Sequence, residues 1–104
     1  MRRRIEMKIY KDKTLKEEVE ILDLGIVEAG TTRKYTYYVY NELLAELKDL
    51  VFEVEHKDVK LLKSPTTLNP CGIDELILEW TPAVTLKQGL KTTLKIAGKE
   101  LWKP

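Results

Sequence analysis

The sequence predicts an all-β protein, a sandwich of about seven short strands. Several runs alternate apolar and polar residues, which is the period of a strand with one buried face. Clusters of Pro, Gly, Asn and Asp separate these runs at the spacing of turns. The 104 residues contain no repeat and no linker. We therefore expect one domain, large enough to bury a core without disulfides.

The alternating runs of the first half predict which side chains share one face of each strand. In chain order these sets are Ile5, Met7 and Ile9; Val19 and Ile21; Tyr35, Tyr37 and Val39; and Leu50, Phe52 and Val54. In the run RKYTYYVY we expect the Tyr35 set in the core. Tyr38 and Tyr40 then stand beside Thr36 on the opposite face.

The second half continues in the same way. DVKLLK is a short strand candidate, and Trp80 belongs with Leu76 and Leu78 on the core face of DELILEW. In LKTTLKIAG one face carries four alternate residues, Leu90, Thr92, Leu94 and Ile96. Turn signals such as Ser64-Pro65, Asn69-Pro70-Cys71-Gly72 and Thr81-Pro82 separate the runs, so Cys71 is expected in a turn.

Two segments carry helical signals. Residues 41–51 space five apolar side chains as a helical stripe, with Asn41 as a possible N-cap. Thr14 and Glu17 have the spacing of a capping box. We expect one-turn helices at most, because the first segment runs directly into an alternating strand and the second also fits a hairpin return.

Composition excludes several classes of function. Eighteen basic and seventeen acidic residues leave a net charge of +1, which gives no argument for nucleic acid or an anionic membrane as partner. A single cysteine, Cys71, predicts no disulfide scaffold. No apolar segment follows the basic residues 2–4, so a secretory signal is not expected and an intracellular location is the default.

Short motifs give the chain a family resemblance. LDLG, IVEAGTT and RKYTYYVYNE, followed by SPTTLNPCGIDELILEWTP and GLKTTLKIAG, resemble immunoglobulin-like domains of the Hydin and major sperm protein type. Leu68, Pro70, Gly72 and Pro82 take the matching places of the second segment, with Cys71 inserted between Pro and Gly. The likeness covers roughly residues 21–98 and concerns turn and core residues.

The layout is also similar to small immunoglobulin-like domains of tailed-phage virion proteins. That likeness implies a leading hairpin at 1–20, a sandwich at 21–98 and a tail at 99–104. It further implies a non-enzymatic structural or interaction role in a virion or the cytoplasm, with a protein partner: the chain itself or another virion protein.

One alternative is a peptide-binding adaptor of the major sperm protein type, which would need a groove or a basic patch. Another is a carbohydrate-binding module, which would need a flat platform of aromatic side chains.

No residue pattern predicts an enzyme, a cofactor or a small-molecule substrate. His56 and Cys71 could form a base and nucleophile, but no local signature surrounds them. Zinc would need more His or Cys ligands, and the carboxylates of KEEVEILD lack calcium-loop spacing. The arginines at 2–4 are expected to be a solvated tail, so nucleic acid is not expected as a partner. We expect Trp102 to pack back over the sandwich or to contact a neighbour, with packing preferred. The candidate interface residues are Tyr38, Tyr40 and Trp102.

Overall fold

Antiparallel strands make up the regular structure of the computed structural model, which describes residues 3–4 and 7–102. The described residues contain no helix, so the prediction of an all-β protein is confirmed. The strands are β1 (Arg3–Arg4), β2 (Lys8–Tyr10), β3 (Glu18–Val19), β4 (Leu22–Gly25), β5 (Arg33–Tyr40), β6 (Glu46–Val54), β7 (Val59–Lys63), β8 (Ile73–Trp80), β9 (Leu90–Thr92) and β10 (Leu94–Leu101).

The strands form three sheets with one shared core. A five-stranded sheet has the order β3-β2-β5-β8-β7, a three-stranded sheet the order β1-β10-β6, and β4 pairs with β9. Side chains from all three sheets meet in a single apolar cluster. The arrangement is consistent with a β-sandwich, in which apolar faces of antiparallel sheets cover one another.

Alternation along the central strands fills this core as predicted. Tyr37 and Val39 of β5 are buried, and Tyr35 is half-buried with its hydroxyl donating to the Leu24 carbonyl at 2.8 Å. On β8 the three predicted core residues, Leu76, Leu78 and Trp80, are fully buried. The predicted core faces of β5 and β8 are therefore confirmed.

The amino-terminal hairpin belongs to the five-stranded sheet. Ile9 of β2 pairs with Val19 of β3 on one side and with Val39 of β5 on the other. Of the two alternatives for its loop, the hairpin return is confirmed and the capping box does not form, because the Thr14 hydroxyl and amide both donate to Asp12 Oδ1 in a turn. Glu17 instead closes the loop through its carbonyl, which accepts from the Lys11 amide.

The shared face predicted for Val19 and Ile21 is also wrong. The chain leaves the five-stranded sheet after β3 and enters the β4–β9 pair at Leu22. Leu22 and Leu24 are buried, whereas Ile21 is 53% exposed. Alternation holds within a strand, but it does not extend across a change of sheet.

Residues 41–49 contain no helix, which lies within the expectation of one helical turn at most. The chain bends at residues 43–45 and then enters β6. Asp49 has a φ of 52°, and the pairing of β6 with β10 shifts register at this point. Such a bulge adds one residue to a strand. Leu47 and Leu50 therefore both face the core although they are three residues apart, which imitates helical spacing.

Asn41 fastens the entry into β6. Its side chain is buried, and its Nδ2 donates to the carbonyls of Ala45 (2.8 Å), Leu68 (3.3 Å) and Asn69 (3.0 Å). Its Oδ1 accepts from the Leu43 amide at 3.0 Å. One side chain thus joins the loop before β6 to the loop before β8.

The carboxyl-terminal run also changes sheet. Leu90 and Thr92 lie in β9, while Leu94 and Ile96 lie in β10, and all four are buried or half-buried. Trp102 follows the last residue of β10, and Leu101 is already paired with Glu46 at the first position of β6. Trp102 therefore lies past the end of this sheet and is 58% exposed, so the preferred packing against the sandwich is wrong.

Candidate interaction surface

The outer side of the five-stranded sheet carries a contiguous group of tyrosines and isoleucines. Tyr38 of β5 stands opposite Tyr10 of β2, and Tyr40 stands opposite Ile73 of β8. Residues directly opposite each other on neighbouring strands have their side chains on the same face, within contact distance. We define the tyrosine face by the residues Tyr10, Tyr38, Tyr40, Ile73 and Ile77.

Neighbouring side chains shelter much of the tyrosine face. Its three tyrosines and Ile77 are half-buried, while Ile73 is 45% exposed. The Lys13 ammonium lies 6.0 Å from the centre of the Tyr38 ring, at the limit of a cation–π contact. Tyr38 and Tyr40 thus lie on the outer face as predicted, as part of a patch that spans three strands.

One ion pair lies at the edge of the tyrosine face, and another includes Glu75, which lies within the face opposite Tyr38. Lys8 Nζ lies 3.4 Å from Glu42 Oε2, and Lys63 Nζ lies 3.2 Å from Glu75 Oε1. The Glu42 carboxylate raises the pKa of Lys8 above its usual value. Exposed pairs of this kind add little to stability because solvent screens them, but they place both signs of charge beside the tyrosines and isoleucines.

Cys71 lies at the edge of the tyrosine face, next to Tyr40. It follows Pro70 in a four-residue turn closed by the Gly72 amide, which donates to the Asn69 carbonyl at 2.8 Å. Its φ of 60° is typical of the third position of a type II turn, where glycine is favoured. The charge that its ionised thiol would carry, together with a hydrogen bond, raises the pKa of Tyr40. The prediction that Cys71 lies in a turn is confirmed.

Sequence reasoning missed Tyr10, Ile73 and Ile77 as members of this surface. Alternation within each strand is the signal that could have found them. Tyr10 lies two residues from the outward-facing Lys8, and Ile73 and Ile77 lie at odd spacings from the core residue Leu76. Alternation assigns a residue to a face, but it does not say which strands are neighbours. The patch forms because β2, β5 and β8 are adjacent in the sheet.

The outer face of the three-stranded sheet is different in character. Its outward side chains are mainly charged, and they form exposed ion pairs such as Lys99 with Asp49 (3.4 Å) and Lys95 with Glu55 (3.7 Å). Val51 is an exposed apolar residue in this surface. Ion-paired charges of this kind are typical of a solvated sheet face.

His56 and Cys71 are not brought together. Cys71 lies beside Tyr40, whereas His56 lines a pocket of about 270 Å³ with Trp80 and Pro82. Arg33 pairs with Trp80 and Tyr40 pairs with Ile73, so the two ends are separated by the length of β5, roughly 23 Å at about 3.3 Å per residue. The His56 Nδ1 accepts a hydrogen bond from the Asp58 amide at 3.2 Å.

Elsewhere among the described residues, no group of side chains forms an assembled chemical site. A cleft of about 400 Å³ lies between the β2–β3 hairpin and β10, with an apolar floor and Glu18, Glu20 and Glu42 on its rim. Among the described residues no group of three or more His, Cys, Asp or Glu side chains could hold a metal ion. The described part of the chain has no helix long and apolar enough to cross a membrane.

Comparison with known proteins leaves the tyrosine face as the main guide to function. No protein-family model, curated protein or solved structure matches the chain.

Trp102, the third candidate interface residue, is exposed at the end of β10, and Leu101 beside it is 44% exposed. Arg3 and Arg4 form β1 with Ala97 and Gly98, whereas Arg2 lies outside the described residues.

Proposed function

We propose that this chain is a non-enzymatic interaction module that binds protein through its tyrosine face, as a small virion-associated protein of a tailed phage. The observation that carries the interaction role is the contrast between the two outer faces. One presents three tyrosines and two isoleucines together, and the other presents ion-paired charges. The virion setting rests on the resemblance of the sequence.

The chemistry of the tyrosine face suits protein contact. Tyrosine is enriched at the energetic centres of protein interfaces, because it offers a large apolar ring and a polar hydroxyl at low conformational cost. Here the rings stand on a sheet whose central strands are hydrogen-bonded on both sides. Such a scaffold holds the contact residues in place before a partner arrives, which reduces the entropy lost on binding.

An immunoglobulin-like sandwich is the fold that we propose for this module. Seven of the strands, β4 to β10, lie between residues 22 and 101, which is the number in the smaller immunoglobulin-like domains. The hairpin of β2 and β3 precedes them and widens the sheet that carries the tyrosine face. The antiparallel pairing and the shared core support this assignment.

The surroundings of the tyrosines favour protein over sugar as the partner. A carbohydrate platform exposes flat rings, but Lys13 lies over the ring of Tyr38, and isoleucines occupy neighbouring positions on β8. A peptide adaptor of the major sperm protein type would need a groove or a basic patch. The cleft beside the β2–β3 hairpin carries Glu18, Glu20 and Glu42, and two of the lysines beside the tyrosine face, Lys8 and Lys63, are paired with carboxylates.

The proposal is tested by following a tagged chain in extracts of its native source. The wild-type chain should sediment in an assembly larger than a single copy. A Tyr38→Ala, Tyr40→Ala double variant should shift to the fraction of a single copy while its thermal melting stays cooperative. The matched control is Val51→Ala, Lys99→Ala on the opposite outer face, which should sediment like the wild type.

Two results would contradict the interaction role. One is a wild-type chain that sediments as a single copy in the native extract. The other is a double tyrosine variant that folds and remains in the assembly to the same extent as the control variant. If the double variant fails to fold, Tyr38→Ser alone provides the same comparison, because it removes one ring from the outer face and leaves the core residues of β5 in place.

A further inference from the structure

We infer that the partner of the tyrosine face is a second copy of this chain, bound face to face about a twofold axis that runs parallel to β5 and β8 and between them. This inference rests on the proposed function and names its partner. It follows from the register of β5 and β8, together with the charges that this register brings face to face.

The register of β5 with β8 determines which residues of the two copies such an axis brings into contact. Lys34 is paired with Glu79, Thr36 with Ile77, Tyr38 with Glu75, and Tyr40 with Ile73. A twofold axis between the two strands exchanges their positions. Each outward residue of β5 then faces, on the second copy, the residue that is its neighbour within its own sheet.

The opposed residues are chemically complementary. The Lys34 ammonium meets the Glu79 carboxylate of the second copy, and the symmetry makes this contact twice. The Tyr38 hydroxyl can donate to the Glu75 carboxylate of the second copy, and the Tyr40 ring meets the Ile73 side chain. No two like charges of β5 and β8 face each other across this axis, so the outward residues of these two strands match those of the second copy.

The same operation is less favourable on the opposite outer face. Between β6 and β10 the register pairs Glu53 with Lys95, but it also pairs Lys48 with Lys99. A twofold axis between those strands would bring each lysine against the other lysine of the second copy. Like charges placed in contact across an interface disfavour association, so charge favours the tyrosine face over this one for self-association.

The outer face of the five-stranded sheet sets the expected strength of the dimer. Its five strands contain 26 residues, and each residue covers about 16 Å² of sheet, which gives on the order of 400 Å² per copy. Two copies would bury about 800 Å², which is below the range of stable protein interfaces and typical of weak, transient ones. We therefore expect a dimer that dissociates on dilution, with a Kd of about 0.1 mM.

Charge reversal tests the axis directly on the purified full chain. In Lys34→Glu, two carboxylates meet at each contact, and in Glu79→Lys two ammonium groups meet. Sedimentation equilibrium at low salt should show dimerisation of each variant about 10- to 100-fold weaker than that of the wild type. An equimolar mixture should form a heterodimer as tightly as the wild type within about threefold, because both contacts then join opposite charges.

Controls separate this effect from changes in folding. Lys34 and Glu79 are neighbours within one copy, so each variant is also followed by thermal melting. Lys99→Glu and Glu53→Lys on the opposite face should dimerise like the wild type. If a charge-reversed variant fails to fold, Tyr38→Phe takes its place, since loss of the hydroxyl that meets Glu75 should weaken the dimer severalfold.

The outcomes distinguish the dimer from the general proposal. A purified wild-type chain that stays a single copy at about millimolar concentration overturns the dimer, since an interface of this size should be occupied there. A mixture that associates no better than its separate variants overturns the axis. If either result occurs while the chain still sediments in a larger native assembly, the tyrosine face binds a different protein. If the native assembly is absent as well, the interaction role also falls.

Discussion

The strands β8 and β6 differ in how their core residues are spaced. Along β8, Leu76, Leu78 and Trp80 alternate strictly with residues of the outer face. Along β6, Leu47 and Leu50 are three residues apart, and Phe52 follows Leu50 at the ordinary spacing of two. Both strands line the same core, so the difference lies in the backbone and not in the demand for apolar side chains.

Sheet position explains this difference. β8 is paired along both edges, with β5 and with β7, so an added residue would disturb two ladders. β6 lies at the edge of its sheet. Its other side makes short-range backbone hydrogen bonds to a loop and not to a strand, as in the Leu47–Leu68 bridge. A bulge is tolerated at such an edge, and Asp is one of the residues that adopt positive φ with least strain. Alternation is thus a safer guide in central strands than in edge strands.

The largest effect is expected in β8. Leu78→Ala removes a fully buried side chain and should lower the free energy of unfolding by about 2–5 kcal/mol. Ile77→Ala, on the outer face of the same strand, should cost less than about 1 kcal/mol. Urea titration of both variants measures the contrast, and a larger loss for Ile77→Ala would mean that the register of β8 is inverted.

The entry to β6 should be nearly as sensitive. Asn41→Ala leaves the carbonyls of Ala45, Leu68 and Asn69 without their shared donor and should cost about 2–3 kcal/mol. Asn69→Ala is the matched control, because the Asn69 residue is exposed and the carbonyl that Asn41 binds is retained. Equal melting temperatures for the two variants would show that the Asn41 side chain does not stabilise the two loops.

The bulge itself predicts a smaller effect at Asp49. Asp49→Val forces a β-branched residue to a φ of 52° and should cost about 1–2 kcal/mol. Asp49→Gly should stay within about 0.5 kcal/mol of the wild type, because glycine adopts this conformation freely. Urea titration compares the two, and a valine variant as stable as the glycine variant would argue against the bulge.

The smallest effect concerns the turn that leads into β8. Cys71→Gly should raise the free energy of unfolding by about 0.5 kcal/mol, since glycine relieves the positive φ but gains freedom in the unfolded chain. Cys71→Ser should leave stability unchanged. Gly72→Ala should act in the opposite direction, because an added Cβ would lie 2.8 Å from the Asn69 carbonyl oxygen. Measurements under reducing conditions would refute this account if Cys71→Gly proved less stable than Cys71→Ser.

The sequence predicts only some of the residues that form the tyrosine face. Tyr38 and Tyr40 could be assigned to the outer face because alternation acts within one strand. Tyr10 and Ile73 joined them only through the order of strands in the sheet. Pairing partners are distant in sequence, so no local pattern contains them.

By itself, the sequence determined the all-β class, the core faces of β5 and β8 and the turn at Cys71. These follow from side-chain alternation and from the φ preferences of turn residues, which are local properties of the chain. Tertiary structure alone decided that the chain changes sheet at Ile21 and at Thr93, that Asp49 forms a bulge and that Asn41 joins two loops. Each of these depends on the strand or loop that packs against the segment, because pairing and burial between distant segments override local preference.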